Sequence, residues 1–120
     1  MAFQKFEDII AWQKSQDLAV EIYRHFGQLN DFGFRNQITR AAVSISNNIA
    51  EGFDERTDAQ FVRYLGHSRG SSAEVRSMLY LAKRLGFIDE ASQRKLISQS
   101  REASRLVQGL MRSIEANPRK

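Results

Sequence analysis

A chain of 120 residues with a formal charge of +4 has room for one domain and a modest core. It holds no cysteine, which excludes disulfides, thiolate catalysis and cysteine-based zinc sites, and no apolar run reaches the length of a membrane span. The charge is uneven: residues 1–56 carry six basic and eight acidic side chains, whereas residues 57–120 carry twelve and six, an excess that attracts polyanions.

Abundant Ala, Leu, Arg, Gln and Glu, a single proline at Pro118 and little alternation of apolar and polar residues predict an all-α domain. The opening "MAFQKFEDII" lacks the apolar stretch of a signal peptide, so the expected location is cytoplasmic. The first helix is expected over Glu7–Gln28. Ala11, Ser15, Leu18, Ile22 and Phe26 share one of its faces at spacings of three and four, widened by Trp12 and Ala19. "GQLNDFG" reads as a turn in which Asn30 or Asp31 caps the next helix. That second helix, Phe34–Phe53, has Ile38, Ala42, Ile45 and Ile49 as its seam and Gly52 as a stop signal. Thr57 followed by Gln60 forms a capping box for a third helix over Asp58–Leu85.

In the third helix Phe61, Leu65, Ser68, Ser72, Val75, Leu79 and Ala82 make a heptad seam with a polar middle, and Gly86 ends it. Asp89 caps a fourth helix reaching about Glu115, with Leu96, Ser100, Ala103, Val107, Leu110 and Ile114 as its seam. Residues 116–120 are expected to be a short flexible tail. Four amphipathic helices with short connections predict an antiparallel up-down four-helix bundle, a single domain over 1–120. Tyr23, Phe32, Phe34, Tyr64, Tyr80 and Phe87 are too many aromatics for one narrow core, so the pattern also predicts a contact surface and self-association.

A polar crossing is expected between the second and third helices. Gly66, Gly70 and Ala73 form a small-residue face, and Ala41, Ser44 and Asn48 offer another. In this reading Asn48 and Ser44 bond across to Ser71 or Ser72, or to a buried carbonyl, Arg40 reaches Glu74, and Glu51 and Glu74 need donors wherever they are buried. Such a network specifies register. A catalytic reading of the same residues is weaker. Glu51 and Glu74 show no sign of sharing a cleft, and Ser46 or Ser71 as a nucleophile lacks a base. Neither His25 nor His67 follows a Glu at the spacing of a di-metal bundle, and no phosphate loop or dinucleotide fingerprint is present. The expectation is a protein that is not an enzyme and has no metal or cofactor.

The sharpest functional feature lies on the fourth helix. Arg94, Arg101, Arg105 and Arg112 are spaced by 7, 4 and 7 residues. At about 100° per residue they fall within about 40° of one another, a ridge about 27 Å long. Leu96, Ala103, Val107 and Ile114 fall opposite, and Ser98 and Gln108 line the ridge. A uniformly positive ridge suits phosphates, without base specificity.

The segments "WQKSQDLAVEIY" (12–23), "QITRAAVSISNNIAEGF" (37–53), "FVRYLGHSRGSSAEV" (61–75) and "LAKRLGFID" (81–89) resemble a bacterial family of four-helix-bundle proteins. Some of its members are encoded in intervening sequences of 23S ribosomal RNA genes and are called ribosomal-protein-like. The matching residues are Trp12, Gln37, Arg40, Ser44, Asn48, Glu51, Gly52, Gly70, Ser71 and Glu74, with Ser68 standing where the family usually has alanine. The resemblance implies a homopentameric ring. It also implies similarity to the accessory variability protein of diversity-generating retroelements, which works with a reverse transcriptase and nucleic acid. It brings no active site with it. Two functions therefore stand: a structural or adaptor oligomer, and a basic nucleic-acid-binding accessory protein.

Overall fold

The computed structural model describes residues 3–119. A short 3-10 turn, Phe6–Asp8, leads into α1 (Ile10–Phe26), α2 (Phe32–Phe53), α3 (Asp58–Arg84) and α4 (Glu90–Ala116). Each of the last three helices starts on a side-chain cap: Thr57 and Asp89 as expected, and Asp31 of the two candidates Asn30 and Asp31. Asp31 Oδ1 accepts from the Phe34 N–H at 3.1 Å, Thr57 Oγ1 from the Gln60 N–H at 3.1 Å, and Asp89 Oδ1 from the Ser92 N–H at 2.8 Å. α3 ends in a Schellman motif: Phe87 N–H donates to Ala82 O and Gly86 N–H to Lys83 O, with Gly86 at φ 78°. Only glycine adopts that backbone without a Cβ penalty.

α1 begins at Ile10 rather than Glu7. Ile9 is extended (φ −78°, ψ 120°), and its side chain is buried among Ala11, Ile49 and Ile114. Burying that isoleucine takes precedence over three more helical residues.

The connections span only 27–31, 54–57 and 85–89, so successive helices run antiparallel. α1 and α3 each pack on α2 and α4, and among the described residues no backbone of a diagonal pair comes within 8 Å, Cα to Cα. The bundle is elongated, 49 × 22 × 19 Å. All four heptad seams face inward. Towards one end Leu18, Ile22, Phe26, Ile38, Val75, Leu79 and Leu96 form one apolar cluster, and towards the other Ile49, Phe61, Leu65, Val107, Leu110 and Ile114 form a second. Each such side chain contributes about 1.5–3 kcal/mol of burial.

Five buried serines, at least one from each helix, make up the polar middle of the seams. Ser68 Oγ donates across to Ile45 O at 2.8 Å, and Ser72 Oγ donates to Ser100 O at 2.8 Å. Ser15 and Ser100 bond back to their own helices, and Ser46 accepts from Gln16 Nε2 at 2.9 Å. The polar middle is thus satisfied internally, and its cross-bonds fix the register of α3 against α2 and α4.

Three expectations are corrected. Gly66 and Gly70 are exposed, and a Cβ at either would meet nothing within 4 Å, so helices 2 and 3 do not cross there. With Leu65, Ser68 and Ser72 facing inward, Gly66 and Gly70 fall on the outer side of α3. The close approach is at Gly52, where a Cβ would lie 2.7 Å from Tyr64 Cβ and 2.9 Å from Phe61 Cδ1. Gly52 is accordingly buried within α2 and does not end it. The C-terminal tail also departs from expectation, because Arg119 is anchored. Its Nε and backbone N–H donate to the two oxygens of Asp58 at 2.6 and 2.8 Å, and Nη1 donates to Phe53 O at 3.0 Å. Its guanidinium stands 4.7 Å over the Phe61 ring. Lys120 lies outside the described residues.

Candidate functional site

The residues expected at the polar crossing spread along α2 and α3. Ser68 lies level with Ile45, and Gln37 Nε2 donates to Glu74 Oε2 at 3.3 Å, which fixes the register of the pair. In that register Glu51 and Glu74 stand about 20 Å apart along the bundle, too far to act on one substrate as acid and base. Both are exposed. Of the partners expected for Asn48, the structure has a carbonyl: its Nδ2 donates to Ser44 O of its own helix at 2.8 Å, not across to Ser71 or Ser72. Arg40 makes no ion pair with Glu74 among the described residues; Gln37 takes that carboxylate instead. Arg40, Ser44, Ser71 and Glu74 do share a shallow groove of about 410 Å3 between α2 and α3. Among the described residues no group of three or more His, Asp or Glu side chains could hold a metal ion, and no helix is long and apolar enough to cross a membrane.

The charged feature of the surface lies on the α3/α4 side. Arg94, Arg101, Arg105 and Arg112 are all exposed, while Leu96, Ala103, Val107 and Ile114 on the same helix are buried. The ridge is one wall of a groove. Ser72 bonding to Ser100 sets α3 and α4 in a register that brings Arg69 and Arg76 opposite Arg101 and Arg105. One stretch of the groove, about 280 Å3, is lined by Arg69, Arg76, Arg101, Ser104, Arg105 and Gln108. The next, about 460 Å3, continues past Arg101 and Arg105 to Tyr80, Arg94 and Ile97. Arg112 lines neither stretch.

No carboxylate lines either stretch. Arg69, Arg76, Arg101 and Arg105 form no ion pair among the described residues, and Arg94 reaches Glu90 only at 3.9 Å. Gln108 adds an unmet acceptor, since its Oε1 is enclosed with no hydrogen-bond partner. Glu21 on α1 pairs with Arg24 at 2.6 Å and Lys95 at 3.6 Å. Partial burial of Glu21 pushes its pKa up, but the Arg24 hydrogen bond and the charges of Lys95 and Arg24 outweigh that and hold it below the usual range.

The sequence pattern marks neither Arg69 nor Arg76, and Tyr80 only as one of the aromatics of a contact surface. The signal was present: Arg69, Arg76 and Lys83 each directly follow a seam residue, Ser68, Val75 and Ala82, at intervals of seven. That position flanks the interface with a neighbouring helix.

A profile of the 23S rRNA-intervening sequence protein family matches residues 7–109. Among solved structures the chain is similar to a protein of unknown function from the S23 ribosomal protein family of Bacteroides thetaiotaomicron VPI-5482. The TM-score is 0.78 at 25% identity, covering 84% of this chain and 97% of that one. No curated protein matches the chain. The profile takes in the α2 stretch with its Ile seam, Gly52, the serines of α3 and most of α4, and on that match the chain belongs to the 23S rRNA-intervening sequence protein family.

Proposed function

We propose that this chain is a non-enzymatic helical-bundle protein that holds nucleic-acid phosphates in the α3/α4 groove. The observation that carries this reading is the facing set Arg69, Arg76, Arg101 and Arg105, with no carboxylate in the groove they line. Four guanidinium groups along one groove repel one another. A polyanion relieves that repulsion, and each phosphate neutralised releases a counterion. Guanidinium forks suit phosphate oxygens, and long arginine side chains tolerate variation in strand geometry. Arg94 and Arg112 extend the positive surface along α4.

The double variant Arg101→Glu, Arg105→Glu tests the reading by titration with labelled oligonucleotides at low salt. Binding is expected to fall by at least about a hundredfold, with the helical circular dichroism signal unchanged. Unchanged affinity in that variant would remove the groove as the binding surface.

A second reading, a structural or adaptor role through self-association, is favoured by a different surface. Ala19, Val20, Tyr23 and Val43 line a groove of about 450 Å3 between α1 and α2, where Val20 and Tyr23 are about half exposed. Five subunits is the number implied by the family resemblance. Sedimentation at micromolar concentration tests it, and a 13.8 kDa species alone would contradict it.

A further inference from the structure

The phosphate-binding reading leaves open which form of nucleic acid the groove takes, and one side chain in it discriminates. We infer that the groove selects single-stranded over double-stranded nucleic acid, with Tyr80 stacking on an unpaired base between the arginine walls. This rests on the proposed phosphate-binding role of the same groove.

Tyr80 lies on α3 one turn beyond Arg76 and is 48% exposed. It lines the wider stretch of the groove together with Gln93, Arg94, Ile97, Arg101 and Arg105. Its ring touches no other aromatic ring and no cation among the described residues. The other prominent exposed aromatics differ. Phe32 already carries the Arg35 guanidinium 4.5 Å over its face, and Tyr23 sits in the α1/α2 groove. Tyr80 is thus a free aromatic inside the basic groove. A tyrosine has few torsions to freeze, so it forms a stacking platform at low entropic cost. The stretch around it, about 460 Å3, lies within the range of about 300–1,000 Å3 typical of small-ligand sites, room enough for a nucleobase.

A duplex cannot use this platform. Its base faces are covered by their neighbours, and exposing one requires unstacking and unpairing. The groove then meets only phosphates. A single strand offers phosphates to Arg69, Arg76, Arg101 and Arg105 and a bare base face to Tyr80 together. Stacking on one aromatic strengthens single-strand binding by about tenfold or more.

Fluorescence anisotropy of the full chain with a labelled oligouridylate and a labelled mixed-sequence duplex of equal length tests the inference. The duplex has the higher charge density, so electrostatics alone would favour it. The expected result is tighter binding of the oligouridylate than of the duplex in spite of that charge difference. Tyr80→Ser should weaken oligouridylate binding far more than duplex binding and turn the preference toward the duplex, and Tyr80→Phe should keep it. Equal or tighter duplex binding, or an unchanged preference in Tyr80→Ser, overturns the selectivity. If both probes bind equally and Arg101→Glu, Arg105→Glu still abolishes binding, the selectivity alone falls and the phosphate-binding role stands. If neither probe binds, both fall.

Discussion

Glycines four residues apart in a helix invite the idea of a close crossing, and here that idea chooses the wrong pair. Gly66 and Gly70 stand on open surface, whereas Gly52 lies against Tyr64 and Phe61. The discriminating information was in the seam: Leu65, Ser68 and Ser72 point inward, which places Gly66 and Gly70 outside. Spacing between small residues says that they share a face but not which way the face points. Opposite outcomes follow for the two sites. Gly52→Ala must push α2 and α3 apart and is expected to cost about 1–3 kcal/mol in a urea melt. Gly70→Ala gains helix propensity with nothing to displace and is expected to stabilise by up to about 1 kcal/mol. A destabilised Gly70→Ala would mean that another surface packs on that face of α3.

At the scale of elements, the helices and their caps were legible because each depends on neighbours in sequence: heptad spacing, Asp31, Thr57, Asp89 and the Gly86 stop. The cap at Asp89 has a pH signature. Its hydrogen bonds from Ser92, the backbone N–H first, hold its pKa below the ordinary value. A carboxyl whose folded pKa is depressed stabilises above its unfolded pKa and loses that contribution as pH falls through the folded one. Thermal melts from neutral pH downward should therefore show a shallower acid decline below about pH 4 in Asp89→Ala than in the parent chain. Identical acid limbs would exclude the cap as a contributor.

The Arg119 anchor could not be read from the sequence, because it joins residues 61 positions apart that meet only once the bundle closes. Asp58 and Arg119 side chains are only 24% and 19% exposed, and the guanidinium also caps the Phe53 carbonyl at the end of α2. Arg119→Ala is expected to cost about 1–2 kcal/mol and to speed amide exchange around residues 53–58. Exchange there at the parent rate would show that the anchor does not hold the α2–α3 turn.

For the whole molecule, the sequence located the charge but not the groove. Reading α4 alone gave a ridge of four arginines. Packing α3 beside it supplies Arg69 and Arg76, the facing wall that turns a ridge into a channel, and adds Tyr80. The serine middle permits this, since its Ser72–Ser100 bond sets the register that brings the two sets of arginines level. On the proposed reading stability and function are separate: the apolar seams and the serines hold the fold, and Arg69, Arg76, Arg101 and Arg105 of the groove form no ion pair among the described residues. The most direct measurement is the salt dependence of oligouridylate affinity. With four to six arginines neutralising phosphates, log K against log salt is expected to fall with a slope of about −3 to −4. A slope near zero, or no binding at low salt, would contradict a role for the groove in holding phosphates.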